Sequence, residues 1–127
     1  MTIKNKKILI VEDDNLLTKL LSTQFSEDGI TVIKASNGKE GLAKILSDHP
    51  DLVILDIIMP EENGLKMLSD LYEIEPDNKI PIIILSNSQD IHHMTEAKKK
   101  HVSVYLLKTD QKLQKVIEIV EKKLSSL

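Results

Sequence analysis

An apolar run interrupted by a single carboxylate constrains the fold of this chain more than any other feature. The run is Leu52-Val53-Ile54-Leu55-Asp56-Ile57-Ile58-Met59-Pro60. Continuous apolar runs are typical of strands buried on both faces of a parallel sheet. An ionised aspartate inside such a run is costly unless it lies at an end open to water or is paired. Because proline cannot continue a central strand, we expect the strand to end near Asp56. Ligands bind at the carboxyl ends of strands in open α/β sheets, which makes Asp56 a candidate functional residue.

Four more apolar runs alternate with segments whose apolar residues recur at helical spacing. The five predicted strands cover residues 7–11, 30–35, 52 to about 56, 80–85 and 102–107. The apolar positions of the five predicted helices are Leu17, Leu20, Leu21 and Phe25; Leu42, Ile45 and Leu46; Leu65, Leu68, Leu71 and Tyr72; Ile91, Met94 and Ala97; and Leu113, Val116, Ile117, Val120 and Leu124. This alternation predicts βαβ units and a parallel sheet with helices on both faces.

Composition excludes several classes of function. The 127 residues suit one domain, residues 1–127, and we expect no separate output domain. The net charge of -3 gives no electrostatic reason to expect nucleic acid. No apolar run is long enough for a membrane span, so we expect no membrane contact and a cytoplasmic location. The absence of cysteine excludes disulfides and thiolate sites.

Polar residues follow the predicted strands at the points where the strands end. Glu12 and Asp13 follow the first strand, Asp56 the third, Ser86 the fourth and Lys108 the fifth. Because the carboxyl ends of parallel strands meet at one edge, these side chains are expected to gather there.

The chemistry of this set indicates phosphoryl transfer. Crowded carboxylates repel one another, and Lys108 alone leaves the cluster unbalanced. A hard divalent cation corrects the imbalance, and oxygen ligands favour magnesium or calcium over zinc. Aspartate carboxylates act as nucleophiles toward phosphoryl groups, so the set predicts phosphoryl transfer onto Asp56 with Ser86 as a hydrogen-bond donor.

The ordered motifs resemble the receiver (CheY-like) domain of bacterial two-component response regulators. They are Val11-Glu12-Asp13-Asp14, Asp56 with Met59-Pro60 and Asn63-Gly64, Ser86, and Tyr105-Leu106-Leu107-Lys108. The resemblance covers essentially the whole chain. It implies a flavodoxin-like (βα)5 fold with a doubly wound parallel sheet in strand order 2-1-3-4-5.

The resemblance also implies a role for each site residue. Asp56 is the phosphoacceptor. Mg²⁺ is held by Asp13 directly, by Asp56 and by the backbone carbonyl of Ile58, whereas Glu12 contacts it through water. Ser86, the backbone of Asn87, and Lys108 contact the phosphoryl group. Ser86 and Tyr105 form the conformational switch, against the alternative that Tyr105 is ordinary edge-strand packing.

The implied partners are proteins. The phosphoryl donor is a sensor histidine kinase or phosphotransfer protein, and a downstream protein target binds the fourth helix, fifth strand and fifth helix. A weak homodimer is left open. The chain then promotes its own phosphorylation and turns over no separate substrate, so it is not an enzyme in the usual sense.

Three features depart from the usual pattern of the family, and one of them is the absence of the glycine usual a few residues before the switch tyrosine, from His101-Val102-Ser103-Val104. Thr109 follows Lys108 where the family usually has proline, often after a cis bond, so the loop is either trans and reshaped or strained. Asn87 follows Ser86 where a small residue is usual.

Three nearby groups have more ordinary interpretations. Asp14 is interpreted as the cap of the first helix. His92 and His93 point apart on a helix and are interpreted as a solvated face rather than a metal pair. Lys98, Lys99 and Lys100 suit a solvated helix end, with a partner-facing surface as the alternative.

Two rival functions differ from the switch at identifiable positions. A phosphate-independent pseudo-receiver binding module is expected to lose an acid or the lysine, and this chain keeps them all. A phosphatase with an aspartate nucleophile places a second aspartate two residues on, where this chain has Ile58. Ile58 can only cover the site and exclude water, and Ser88 is short and no base, so phospho-Asp56 is predicted to be long-lived; the alternative is that Ile58 is a surface apolar residue with no kinetic effect.

Overall fold

The computed structural model describes residues 2–59, 63–100 and 102–127. The strands are β1 (Lys7–Val11), β2 (Thr31–Ala35), β3 (Leu52–Leu55), β4 (Ile82–Ser86) and β5 (Val104–Leu107). The helices are α1 (Asn15–Glu27), α2 (Gly38–Asp48), α3 (Gly64–Ile74), α4 (Ile91–Lys99) and α5 (Leu113–Ser125), with a 3-10 turn at Lys108–Asp110. The strands form a parallel sheet in the order β2-β1-β3-β4-β5, which confirms the predicted flavodoxin-like fold.

The predicted element boundaries differ from the observed ones mainly at strand starts. β4 begins at Ile82 and β5 at Val104, each two residues later than the sequence indicates. The carbonyl of Pro81 still accepts a hydrogen bond from Val53 N, so the chain approaches the sheet before the regular strand starts. Pro60, on which the predicted end of β3 rests, lies outside the described residues.

Short polar side chains begin four of the helices. The N-cap residues of α1, α2, α3 and α4 accept hydrogen bonds from backbone N–H groups of the first turn; they are Asp14, Asn37, Asn63 and Asp90. These bonds satisfy donors that a helix terminus otherwise leaves unpaired. The predicted capping role of Asp14 is confirmed, because its Oδ1 accepts from the backbone N–H groups of Leu16 and Leu17.

Alternation along the strands divides the core into two halves. On β1, Ile8 and Ile10 pack on one face of the sheet, and Leu9 and Val11 on the other. The first face is covered by buried residues of α1 and α5, and the second by buried residues of α2, α3 and α4. Successive side chains of a strand point to opposite faces, so a continuous apolar run is what a sheet covered on both sides requires.

Helix α4 is the least buried of the five helices. Ala97 is its one buried residue, whereas Ile91 is 71% exposed and Met94 40% exposed. Two of its three apolar positions are therefore exposed to solvent, so the apolar stripe of α4 is thin. A helix with so little buried apolar surface opens more easily than its neighbours, because few contacts oppose the movement. Within the described residues, none of the helices has the length and apolar character needed to span a bilayer.

Two carboxyl groups meet where α1 and α5 pack together. Oε2 of Glu121 is buried and has no hydrogen-bond donor among the described residues, while Asp28 accepts from Gln24 Nε2. Burial and the hydrogen bond with Asp28 raise the pKa of Glu121 to about 7. The same interaction lowers the pKa of Asp28, so the pair is best satisfied when Glu121 carries the proton.

We expect Glu121→Gln to remove part of the pH dependence of stability. A pKa raised on folding contributes stability at low pH that is lost as the pH rises through about 7. Between pH 5 and 8 the parent should therefore lose about 1 kcal/mol that the variant keeps, a small value because the partly exposed side chain is screened by solvent. Urea unfolding measured across this range checks the prediction. Glu118→Gln, an exposed glutamate on the same helix, should follow the parent.

Candidate functional site

The register of the central strands brings two carboxylates together. Val11 pairs with Leu55, so Glu12 and Asp56, the next residues on the neighbouring strands, leave the sheet side by side. Both are almost fully buried. Their backbones continue the sheet, because Asp56 N donates to Val11 O and Glu12 N donates to Ala35 O, each at 3.0 Å. The strand order reverses between β1 and β3, which is where open α/β sheets bind ligands.

Lys108 lies between these carboxylates. Its Nζ is 2.7 Å from Glu12 Oε1 and 3.1 Å from Asp56 Oδ2. The remaining carboxylate oxygens accept backbone hydrogen bonds, Asp56 Oδ1 from Ile58 N at 3.3 Å and Glu12 Oε2 from Asp14 N at 3.1 Å. Both carboxylates are therefore held in one orientation by groups from three loops.

The burial of opposite charges shifts the proton affinity of the site. Burial raises the pKa of Glu12 to about 7, although the hydrogen bond from Lys108 opposes this shift. Burial alone lowers the pKa of the Lys108 ammonium, but its hydrogen bond to Glu12 and the charge of Asp56 outweigh that effect and raise it. Lys108 therefore remains a cation at neutral pH.

The acidic side chains suit a hard cation. Glu12, Asp13 and Asp56 each offer one oxygen, and these oxygens lie within 4.8 Å of one another. The span across an octahedral magnesium site is about 4.2 Å, so small side-chain rotations would bring all three into range. Three carboxylates against the single ammonium of Lys108 also leave an excess of negative charge if all of them ionise. The donor set therefore fits Mg²⁺ in both chemistry and charge.

A cleft of about 320 Å³ opens over this cluster at the carboxyl edge of the sheet. Its lining residues are Glu12, Asp13, Asp14, Asp56, Ile58, Asn87, Ser88 and Lys108. Ser86 and Tyr105 are not among them. Ser86 is fully buried below the cleft, and its Oγ accepts a hydrogen bond from Ser88 N at 3.3 Å. In this conformation the hydroxyl nearest the surface of the cleft on this side is therefore that of Ser88.

Ser88 connects the cleft to α4 and β5. Its carbonyl accepts a hydrogen bond from the hydroxyl of Tyr105 at 2.8 Å, and its Oγ lies 2.6 Å from Nδ1 of His93. The interpretation of His93 as part of a solvated face is therefore wrong, because its ring turns toward the loop before α4. Asp90 is the N-cap of α4, so His93 is the third residue of the first turn, a position whose side chain reaches back toward the N-terminus.

Gly64 allows α3 to start directly beside the phosphoacceptor candidate. A Cβ atom at this position would collide with the backbone carbonyl of Asp56 and lie 2.9 Å from Leu55 Cγ. Gly64 N also donates to Ile57 O at 3.0 Å. The glycine is therefore needed for the close approach of helix and strand end, and Asn63 caps the same helix.

The loop after β5 takes the first of the two forms that its sequence leaves open. The Lys108–Thr109 peptide bond is trans, like every peptide bond within the described residues, and Lys108–Asp110 form a 3-10 turn. This turn carries Lys108 across the end of the sheet to Glu12 and Asp56.

Comparisons with known proteins agree with this architecture. The family model described as the response regulator receiver domain matches residues 8–121. The "Regulator of RpoS" of Escherichia coli (strain K12) is 34% identical over 115 residues, covering 91% of this chain and 34% of that protein. The "Transcriptional regulatory protein KdpE" of Staphylococcus aureus is 35% identical over 102 residues, covering 80% of this chain and 43% of that protein. The chain thus spans between about a third and less than half of the length of these two relatives.

Solved structures give the same result. The receiver domain of the Francisella response regulator 1452 is 29% identical and has a TM-score of 0.82, with coverage of 96% of this chain and 98% of that one. A CheY-like receiver domain protein from Methanospirillum hungatei JF-1 has a TM-score of 0.86 at 24% identity, which supports the fold alone, with coverage of 97% and 96%. The family match covers most of the chain and agrees with the strand order and the acidic cleft, and the chain therefore belongs to the response regulator receiver domain family.

Proposed function

We propose that this chain is a phosphorylatable signalling switch in which Asp56 accepts a phosphoryl group from the phosphohistidine of a sensor histidine kinase or phosphotransfer protein. One observation carries the proposal. The Asp56 carboxylate lies at the floor of an open cleft, is held by Lys108 at 3.1 Å, and has the carboxylates of Glu12 and Asp13 beside it. This is the arrangement that in-line transfer to an aspartate nucleophile requires.

The residues around Asp56 have distinct roles in the transfer. An oxygen of the Asp56 carboxylate attacks the phosphorus, and the bond between phosphorus and the donor imidazole nitrogen breaks. Lys108 provides a cation that is already in place for the charge on the transferred group, and needs little reorganisation because Asp56 and Glu12 hold it. The backbone N–H of Ile58 holds Asp56 Oδ1, which orients the nucleophile.

Magnesium fits the same site. Asp13 and Asp56 are the proposed carboxylate ligands, Glu12 acts through water, and the carbonyl of Ile58 completes the protein contribution. A bound Mg²⁺ supplies neutralisation of the phosphoryl oxygens and a template for their orientation. Asp13 is exposed and reaches a cation entering from solvent, whereas Glu12 is buried and already hydrogen-bonded to Lys108.

We further propose that the signal leaves through α4, β5 and α5. Tyr105 on β5 and His93 on α4 are both hydrogen-bonded to Ser88, whose backbone N–H contacts Ser86. Movement of Ser86 toward a phosphoryl group would draw the Ser88 loop with it, and these bonds would carry the movement to β5 and α4. Because α4 buries only Ala97, it is the helix most easily shifted by such a movement. Its exposed Ile91 and Met94 offer apolar contacts to a downstream protein.

The proposal is tested by phosphorylation with a small donor. The chain is incubated with acetyl phosphate and Mg²⁺ and followed by intact mass, with a matched sample in EDTA. We expect one added phosphoryl group in the parent, none in Asp56→Asn, and normal uptake in Asp77→Asn, a control at an exposed aspartate outside the cleft. Uptake that survives in Asp56→Asn would exclude Asp56 as the acceptor. A parent that stays unmodified by both acetyl phosphate and a phosphohistidine protein would favour the pseudo-receiver.

Ile58 is expected to shield the phosphoryl group from water. It lines the cleft two residues after Asp56 and is 55% exposed, so its side chain covers the approach without being part of the core. We expect Ile58→Asn to speed the loss of phosphate from Asp56 about tenfold, because an amide can orient the attacking water. Decay of the phosphorylated mass after removal of the donor measures this rate. Ile74→Asn, at an isoleucine that is 56% exposed outside the cleft, is the matched control. Equal decay in the Ile58→Asn variant and the parent would remove the shielding role.

A further inference from the structure

The hydroxyl of Ser88 and the ring of His93 form a pair that the proposed phosphorylation does not use. Ser88 is buried, lines the cleft with Asp56, and has its Oγ 2.6 Å from Nδ1 of His93. His93 is half-buried on the outer side of the same loop. A hydroxyl facing the cleft is thus backed by an imidazole that can take its proton, which is the arrangement of an activated hydroxyl.

The hydrogen bonds of Ser88 leave one position free toward the cleft. A serine hydroxyl has one proton and two acceptor positions. When His93 is neutral with its proton on Nε2, the Ser88 proton points to Nδ1. One acceptor position of Oγ then faces the backbone N–H of Asp90 at 3.4 Å. The second acceptor position remains available to a water molecule in the cleft.

Protonation of His93 reverses this hydrogen bond. The protonated ring donates from Nδ1 to Ser88 Oγ, so it can no longer accept the serine proton. Ser88 can then still contact a phosphoryl oxygen but cannot pass a proton outward. The change in the protonation of His93 leaves the backbone of Ser88 in place, because its N–H is bonded to Ser86 and its carbonyl to Tyr105.

We propose that Ser88 and His93 form a proton relay for the hydrolysis of phospho-Asp56. This inference rests on the proposed function, since it requires a phosphoryl group on Asp56, and it replaces the expectation from the sequence that Ser88 does not help hydrolysis. Water attacks the phosphorus, and the bond between phosphorus and the Asp56 oxygen breaks, which releases the Asp56 carboxylate and inorganic phosphate. The proton of the attacking water passes to Ser88 Oγ as the Ser88 proton passes to His93 Nδ1. His93 then returns its proton to solvent, to which its half-buried ring has access.

Several charged groups lie on the elements around this pair, and one of them titrates within the pH range of the test. Asp90, the N-cap of α4, and His92 and Glu96 belong to the same helix as His93, and Tyr105 lies on β5. The strand ends carry Glu12, Asp56 and Lys108. Helix α3, which packs against α4, carries Lys66, Asp70 and Glu73. Burial raises the pKa of Tyr105 above its ordinary value of 10.0, so the phenol stays protonated at neutral pH. Glu12 has a pKa of about 7 across the cleft, so a pH profile of the parent alone does not identify His93.

Variants at positions 93, 92 and 88 separate these groups. The chain is phosphorylated with acetyl phosphate, the donor is removed, and the decay of the phosphorylated mass is followed from pH 5.5 to 8.5. We expect the parent rate to rise about tenfold across this range, because only the neutral ring of His93 can accept the Ser88 proton. His93→Asn keeps a hydrogen-bonding group near the position of Nδ1 but does not titrate, and it retains Glu12. Its rate, like that of Ser88→Ala, should stay flat at the low value.

The adjacent His92→Asn is the matched control and should keep the parent profile, because His92 is exposed on the same helix turn. A pH-independent parent rate, or a profile that survives in His93→Asn, would overturn the relay and leave the phosphorylation of Asp56 intact. Failure of the parent to take up any phosphoryl group would overturn both. Unfolding midpoints and amide spectra of the variants check that α4 remains docked. A lost pH dependence can then be assigned to the missing side chain rather than to loss of helix packing.

Discussion

Asp13→Ala is expected to lower the Mg²⁺-dependent phosphorylation of this chain by at least about 100-fold, because metal charge stabilisation contributes several kcal/mol to the transition state. Asp13 is the exposed member of the three carboxylates whose oxygens lie within 4.8 Å of one another. It is therefore the proposed ligand most accessible to a cation from solvent, and among the described residues no lysine is paired with it as Lys108 is with Glu12. Isothermal titration with Mg²⁺ and intact mass after acetyl phosphate treatment measure the two losses.

Asp14→Ala is the matched control for this prediction. Asp14 is the next carboxylate in the chain and also lines the cleft, but its Oδ1 is engaged by the N–H groups of Leu16 and Leu17. Its removal should cost about 1 kcal/mol of stability through the lost helix cap and leave Mg²⁺ affinity near that of the parent. Undiminished Mg²⁺ binding in Asp13→Ala, or an equal loss in Asp14→Ala, would show that the ligand is assigned incorrectly.

Lys108→Ala should separate metal binding from phosphoryl transfer. We expect phosphorylation to fall by about 100- to 1,000-fold, the usual effect of removing one pre-placed donor to a developing charge. Metal binding should be equal or tighter, since Nζ of Lys108 lies 2.7 Å from Glu12 Oε1 and 3.1 Å from Asp56 Oδ2, where it competes with a divalent cation for the same carboxylates. The same titration and mass measurements apply.

Lys112→Ala provides the control for general charge loss. Lys112 is exposed at the start of α5 and does not line the cleft, so both measurements should match the parent. If Lys108→Ala were phosphorylated as fast as the parent, Lys108 would have no role in the transfer. If the Lys108→Ala variant lost Mg²⁺ affinity instead, the proposed competition between the ammonium and Mg²⁺ would be wrong. Lys108 would then serve to hold the carboxylates in the geometry that binds the cation.

Together the two variants give opposite patterns that a general loss of structure cannot produce. Asp13→Ala loses the cation and, with it, the reaction. Lys108→Ala keeps the cation and loses the reaction. Breaking a buried ion pair is destabilising, so the unfolding midpoint of Lys108→Ala must be measured alongside, and the assays run where the variant is fully folded.

The order of apolar runs in the sequence was sufficient to predict the architecture. Runs such as Leu52–Leu55 have apolar residues at successive positions, which only a strand covered on both faces accommodates. Their alternation with helical spacing left a doubly wound parallel sheet as the consistent arrangement, and the sheet order is the predicted one. The positions of Glu12, Asp13, Asp56 and Lys108 at one edge followed from the same rule, because parallel strands all end on the same side.

Only the tertiary structure determined which side chains meet. The contacts of Lys108 with Glu12 and Asp56 depend on the 3-10 turn after β5, which local sequence does not specify. The withdrawal of Ser86 below the cleft depends on the loop conformation that places its Oγ under the Ser88 N–H. A sequence pattern indicates which residues of a strand or helix share a face, but it does not specify the conformation of a loop.

The same limit explains the residues that sequence reasoning missed. His93 was interpreted as part of a solvated face because adjacent residues on a helix point apart, and its contact with Ser88 depends on where the helix begins. The pairing of Glu121 with Asp28 depends on how closely α5 packs against α1. The sequence by itself determined the parallel sheet and the edge of the sheet that carries the site, because hydrophobic periodicity and the ends of the apolar runs specify them, whereas the strand order was implied by the resemblance to receiver domains. Tertiary packing decided the partners of the charged and polar side chains, because distances of a few ångströms between separate elements depend on helix docking and loop geometry that no periodic pattern encodes.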